Sequence, residues 1–499
     1  MPCAKPPLLT MNSDAVVPNQ APSVDAGSVR LSIVGEAPAV EECSWRHCIP
    51  QGHGYAGEHW EHRQLVTRDR CPLCGSQQWT EAPTPFVGES GRLLDSLLRD
   101  AGLPRERCFV GNCSRHPLAE HEKRLDCCKG GLSRLALDLE AFRPHVVLCL
   151  GNLSLSAFMG EGHAVTNWRG SLFEGRLAGV TYKCVAAMHP AAILREPGQL
   201  CLLRDDVKKA VAEAGSPALD LPKRVVSAPP YAEGLYAWLW DLRKARKPLG
   251  YDIEGTVQTG ITVCSFADSP LHAISIPFRR LDWSRVWNEA DEVLLLAAIG
   301  ELLADPNVPK VAHNAMYEGF GHRWLHGHVL RNVEDTMLAW HVLFPELLKD
   351  LSVVSSVLVP KHQYWGSADD WGVYDRPATD ADRDLYNATD SMVTLECWQA
   401  IQREMTPAQR AYYEHQRALL EPCLEMSFEG MPYDAAKRDA MVAALEREVH
   451  GLQGELDSLA GIPLPSFGDI RDAVCMKVKA KHVVDWSDVL AHSKPSFKA

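Results

Sequence analysis

The stretch Leu249-Gly250-Tyr251-Asp252-Ile253-Glu254-Gly255 decides how the middle of this chain is read. Apolar residues alternate with and flank two acids, the pattern of a buried strand, and residues two apart on a strand face the same way. Asp252 and Glu254 therefore project together, which costs free energy unless cations neutralise them. Divalent ions held by converging carboxylates meet that need, and a pair of such ions can clamp a phosphodiester for hydrolysis. Two further motifs supply ligands: His313-Asn314-Ala315-Met316-Tyr317-Glu318 and Tyr386-Asn387-Ala388-Thr389-Asp390. Asn314 and Glu318 stand four apart, as do Tyr386 and Asp390, so each pair shares one helical face.

In order, spacing and flanking residues these motifs resemble the 3′-5′ proofreading exonuclease domain of family A DNA polymerases. The resemblance covers residues 247–400, including the intervening Asp335-Thr336 and Asp350-Leu351. It implies an RNase H-like α/β fold and two Mg²⁺ or Mn²⁺ ions on Asp252, Glu254, Glu318 and Asp390. It also implies an attacking water oriented by Tyr386, and Asn314 on the substrate. One departure is Glu318, where the family usually carries Asp. The extra methylene moves the carboxylate by about a bond length, and Mg²⁺ is strict about octahedral geometry.

Composition bounds the rest. A chain of 499 residues, 46% of them hydrophobic, holds roughly three domains. No apolar run approaches the ~20 residues that a membrane span needs. Residues 1–28, rich in Pro, Ala and Ser, lack the basic start and apolar core of a secretory signal and are expected to form a flexible tail. Sixteen cysteines in such a chain suggest metal or cluster ligands and buried thiols, not a disulfide framework, and a cytoplasmic setting. The net charge of −13 argues against broad nonspecific DNA affinity but leaves DNA open as a substrate.

Ahead of the acidic motifs, apolar runs ending in Gly or a polar loop alternate with helical patterns. Leu31 to Val34, His145 to Leu150 and Thr181 to Ala187 read as strands; Gly91 to Ala101 and Leu132 to Phe142 read as helices. That alternation implies a parallel sheet covered by helices, with ligands at the carboxyl ends of the strands. The unusual sequences sit at those ends: Gly35-Glu36-Ala37-Pro38, Pro85-Phe86-Val87-Gly88 with Gly91-Arg92-Leu93-Leu94, Gly111-Asn112-Cys113-Ser114-Arg115-His116-Pro117, and His189-Pro190. Together they resemble the family 4 type of uracil-DNA glycosylase. The resemblance implies that Phe86 stacks on an extruded uracil and that Asn112 pairs with its N3–H and O4. It further implies that His189 donates to O2 of the departing base and that Glu36 or Glu42 positions or activates water. Family 4 enzymes carry a four-iron cluster on four cysteines. Here two ligand sets are open: a 4Fe-4S cluster on Cys71, Cys74, Cys113 and Cys127 (or Cys128), and a structural Zn²⁺ on Cys43, Cys48, Cys71 and Cys74.

The expected organisation is a tail over 1–28, a glycosylase-like domain over 29–215 with a Cys- and His-rich insertion at 43–84, and a Pro-rich linker over 216–246. The exonuclease-like domain follows over 247–400 and a helical segment over 401–499. Glu421 to Asp434 resembles the approach to the thumb of family A polymerases, but no acidic palm motif follows before Ala499. The combination is reminiscent of phage replication proteins, placing the chain in host cytoplasm. Its expected partners are a DNA 3′ end, single strands, uracil-containing DNA and a separate polymerase palm and fingers subunit. The alternative is a non-catalytic, uracil-sensing replication factor that scaffolds such a subunit.

Overall fold

The computed structural model describes residues 29–36, 85–86, 88–113, 129–256, 258–366, 378–461 and 463. The first of two compact units, Met1–Phe428, holds two sheets, and the second comprises Glu429–Ala499.

The first sheet has the strands β1 (Leu31–Gly35), β2 (Phe109–Asn112), β3 (Val146–Leu150), β4 (Leu172–Leu177) and β5 (Val180–Ala187), in the order β2-β1-β3-β5-β4. All pairings are parallel except β4 with β5, a hairpin. Its helices are α1 (Glu89–Asp100), α2 (Lys129–Phe142), α3 (Asn152–Met159), α4 (Val165–Trp168), α5 (Pro190–Arg195) and α6 (Leu200–Glu213). Every residue of β1 and β3 is buried, as a parallel sheet covered on both faces requires. Leu31, Ile33, Leu148 and Val185 face one core, whereas Val34, Phe109, Val147 and Cys149 face the other. The strand ends align, with Gly35 opposite Asn112 and the Gly151 N–H donating to the Ala187 carbonyl. The strands and helices read from the sequence all form; α1 and α2 begin two and three residues earlier than expected.

Residues 216–246, expected as linker, carry regular structure. Val225–Ser227 is strand β6, paired parallel to β9 (His272–Pro277), and Ala232–Ala245 is helix α7. Leu235, Leu239 and Leu242, at helical spacing, are buried in the core of the second sheet. The clustered prolines before them obscure that period in the sequence.

The second sheet runs β11-β10-β7-β8-β9-β6. Its remaining strands are β7 (Leu249–Thr256), β8 (Gly260–Ser269), β10 (Lys310–Ala312) and β11 (Val333–Asp335). An antiparallel meander β7-β8-β9 is extended by parallel β10 and β11 on one side, an RNase H-like mixed sheet. The helices of this part are α8 (Glu289–Ala304), α9 (Ala315–His326), α10 (Thr336–Leu343), α11 (Leu351–Leu358), α12 (Asp380–Glu404), α13 (Pro407–Arg417) and α14 (Leu420–Glu429). Helix α12 starts at a capping box in which Thr379 and Asp382 satisfy each other's backbone donors. It then lies across β7 and β8, where Ser265 donates to the Asn387 carbonyl at 2.9 Å. Gly250 permits that approach, because a Cβ there would sit 2.0 Å from the Ser391 carbonyl oxygen. The second unit contains α15 (Ala435–Ala460), capped by Asp434, whose side chain accepts from the Lys437 N–H.

Candidate metal centre and base pocket

On β7, alternation brings Asp252 and Glu254 to one side, and α12 delivers Asp390 opposite them. One ligand oxygen from each of Asp252, Glu254 and Asp390 lies within 4.8 Å of the others. Burial is the first cause that holds the Asp252 carboxyl well above its usual range, followed by the charges of Asp390, Glu254 and Glu318. Burial pushes Glu254 up to about 7, opposed by the charge of Arg383. Asp390 is raised by burial and by Glu254, against hydrogen bonds from Trp365 and Tyr386 that favour its ionised form. Three crowded acids that resist ionising together fit divalent cations, whose charge removes the penalty.

Glu318 stands differently. It is 2% exposed and its Oε2 has no hydrogen-bond partner. Burial raises it strongly, Asp335, Glu254 and Asp390 add to the effect, and its own backbone N–H opposes it. The carboxylate lies outside the 4.8 Å set, so the expected fourth ligand is not brought together with the other three.

Neighbouring groups hold the acids in place. The Asn387 amide donates to Asp252 Oδ2 at 2.6 Å and the Trp365 indole N–H donates to Asp390 Oδ1 at 2.7 Å. Asn314 has a left-handed backbone, φ 73°, at the start of α9. Its N–H and that of Ala315 donate to the Asp335 carboxylate, which also caps α10 through Met337 and Leu338. His313 is structural, with its ring nitrogens 2.8 Å from Thr336 Oγ1 and 2.7 Å from the Lys349 carbonyl. Beside the acids lies a cavity of about 450 Å³ whose lining includes Gly255, Asn314, Tyr317, Phe320 and Leu325. Asn387 sits inside the quoted third motif and was readable there, but Trp365 and Arg383 carry no signal in spacing or pattern.

At the end of the first sheet, Phe86 has φ 57°, a conformation that costs a bulky residue on the order of 1–3 kcal/mol. Arg105 holds it there, donating to the Phe86 carbonyl at 2.9 Å and to that of Pro85, while itself paired with Asp95 at 3.2 Å. The Phe86 ring stacks on His189 with centroids 5.6 Å apart. Gly35 lies under both Phe86 and Asn112: a Cβ there would come within 2.4 Å of Phe86 Cζ and 2.5 Å of Asn112 Oδ1. His189 Nδ1 accepts from the Ala191 N–H at 3.1 Å, which leaves the proton of the neutral ring on Nε2. Glu36 Oε1 accepts from the Leu153 N–H at 3.3 Å at the start of α3. Asn112 and Phe86 are 4% and 5% exposed. Cys113 is buried beside the Leu153 carbonyl. Glu42, Cys43, Cys48, Cys71, Cys74, Cys127 and Cys128 lie outside the described residues. Among the described residues no helix is long and apolar enough to cross a membrane.

These arrangements define two candidate sites: a cluster of Gly35, Phe86, Asn112 and His189 at the carboxyl edge of a parallel sheet, and a set of three converging carboxylates. A sequence profile of the Uracil DNA glycosylase superfamily matches residues 22–214. Over 136 residues, 25% of this chain, it is 32% identical to the Type-4 uracil-DNA glycosylase of Archaeoglobus fulgidus, covering 65% of that protein. It is 29% identical to the Type-4 uracil-DNA glycosylase of Pyrobaculum aerophilum over 140 residues, 26% of this chain and 68% of that protein. The chain thus spans about two thirds of the length of these curated relatives. Among solved structures it is similar to the POL domain of Pol1 from M. smegmatis in complex with DNA primer-template and dNTP. That likeness has 18% identity, covers 48% of this chain and 38% of that one, and at a TM-score of 0.34 is too slight to fix a fold.

Proposed function

We propose that this chain is a DNA-editing enzyme that excises uracil from DNA at the first sheet and removes 3′ nucleotides at the second. For the first activity the supporting observation is the meeting of Gly35, Phe86, Asn112 and His189 at one sheet edge, within a segment similar to proteins named as uracil-DNA glycosylases. A uracil extruded from the stack lies against the Phe86 ring. The Asn112 amide pairs with N3–H and O4, an edge on which cytosine presents the opposite donors and acceptors. His189 Nε2–H donates to O2 as the leaving base gathers negative charge, which stabilises the transition state. Glu36, held at the start of α3, or Glu42 orients the water. An oligonucleotide with one uracil, treated with the protein and then alkali, breaks at the uracil; an intact strand counts against excision. No step is assigned to an iron–sulfur cluster or zinc ion, since only Cys113 of the candidate ligands lies among the described residues.

For the second activity, the convergence of Asp252, Glu254 and Asp390 within 4.8 Å carries the reading. Divalent ions, when bound, neutralise the phosphodiester and the three acids. The chain's own residues do the positioning. Asn387 fixes Asp252, Tyr386 orients water beside Asp390, and the cavity next to Asn314 and Tyr317 receives the terminal nucleotide. A 3′-labelled mismatched primer with Mn²⁺ shortens, and shortening that persists in Asp252→Ala refutes the assignment. The position of Glu318 outside the acidic set favours a second reading, an exonuclease fold kept as scaffold for a separate polymerase subunit. Mn²⁺ that leaves the melting temperature of the parent unchanged supports that reading over catalysis.

A further inference from the structure

Residues 359–366, a strap that follows α11, pack against the first sheet and reach the metal centre at Trp365. The Leu172 N–H donates to the His362 carbonyl at 2.8 Å, and the Tyr364 N–H donates to Ser171 Oγ at 3.2 Å. The Tyr364 ring is buried in the core of the first sheet, 5.3 Å from the ring of Trp168. The root of the segment is fixed by buried charge. Arg169, paired with Asp206 at 2.5 Å, donates to Ser356 Oγ at 2.6 Å; Lys209 donates to the carbonyls of Gly170, Ser356 and Val359 at 2.7, 2.9 and 3.2 Å. Lys361 reaches Glu213 at 2.5 Å. The next residue after Tyr364 is Trp365, whose indole N–H ends on Asp390 Oδ1.

We propose that Trp365 is a positioning residue for the metal centre, held in place by the glycosylase-like domain, so that cation affinity at Asp390 depends on packing in the neighbouring sheet. The inference rests on the metal-site reading above. A carboxylate near two other acids has several rotamers that relieve repulsion by turning away. A donor locked from outside the cage keeps Oδ1 in one direction, leaving Oδ2 for the cation. Tyr364 and Trp365 are adjacent and point into different cores, so a shift of the strap in one is felt in the other.

The test uses the full chain. Mn²⁺ binding is measured by titration calorimetry, beside 3′ shortening, uracil release and melting temperature. Trp365→Phe keeps the ring and removes the donor. A hydrogen bond to a charged group is worth enough that Mn²⁺ affinity is expected to fall roughly tenfold. The 3′ activity should need correspondingly more Mn²⁺ for half-saturation, while uracil release stays at the parental rate. Ser171→Ala, which touches no metal ligand, is expected to weaken Mn²⁺ binding about threefold by loosening the strap. Mn²⁺ affinity within twofold of the parent in both variants overturns the proposal. Asp252→Ala separates the two failures. If it abolishes a Mn²⁺ isotherm that Trp365→Phe leaves intact, only the positioning role is lost. If the parent itself binds no Mn²⁺, both readings fall.

Discussion

The metal centre and the base pocket are built in opposite ways. The first is a set of like charges forced together by regular elements: alternate residues of β7 meet a helix whose approach depends on Gly250. Its residues are held against their electrostatic preference, as the raised Asp252, Glu254 and Asp390 carboxyls record. The base site has no cluster of like charges and is strained in its backbone instead, at Phe86, whose carbonyl Arg105 grips. On the proposed reading, one site is completed by a cation and the other by a flat, neutral ring. Removing charge from the cage should leave the base site's activity in place, and filling the base site should leave the cage's activity in place.

The largest expected effect breaks the pair cleanly. Asp252→Ala or Asp390→Ala removes a ligand from a centre whose charge stabilisation is worth several kcal/mol, so 3′ shortening should drop on the order of 10³-fold. Uracil release should be unchanged in the same preparation; a parallel loss would mean that the sites are not independent. The mirror experiment is Gly35→Ala. Its Cβ would collide with Phe86 and Asn112, so uracil release should fall about 10²-fold with 3′ shortening intact. Retention of uracil release would show that the ring does not lie where Phe86 and Asn112 meet. A smaller effect sharpens the metal side. Glu318→Gln should cost less than about tenfold in 3′ shortening, because that carboxylate lies outside the acidic set; a loss near that of Asp252→Ala would place it on the metal.

The same contrast explains what the sequence disclosed. The acidic cage was legible because strand alternation and the i, i+4 spacing of Tyr386 and Asp390 are short-range rules, and the first sheet follows from apolar runs such as those of β1 and β3. The groups that tune the cage were not. Trp365 reaches Asp390 from residues 359–366, which pack against the first sheet, and Arg383 acts on Glu254 across the site. Glu318 shows the limit of spacing arguments, since helical position put it on the right face but could not foresee that its carboxylate stays outside the acidic set. The segment 216–246 misled for a local reason, its prolines outweighing the leucines of α7.

The smallest effect is one of stability and comes from the acids alone. With chelator present, a carboxyl whose folded pKa is raised binds its proton in the folded chain at a pH where the unfolded chain has released it. Stability from that proton is complete below the ordinary carboxylate range and is lost as pH rises through the folded value. For Glu254 that window runs from about 4.5 to about 7, and Asp252 and Asp390 are shifted in the same direction. The melting temperature of the metal-free chain should therefore decline by a few degrees between pH 5 and pH 8. Saturating Mn²⁺ should recover most of it at pH 8, where the acids are free to ionise onto the cation, and add little at pH 5, where protons compete. Asp390→Asn should flatten the metal-free decline and lose the Mn²⁺ recovery, whereas Asn112→Ala should leave both curves in place. If Asn112→Ala shifts the pH dependence as much as Asp390→Asn does, the decline does not originate in the cage, and the contrast between a charged site and a strained one fails at its base.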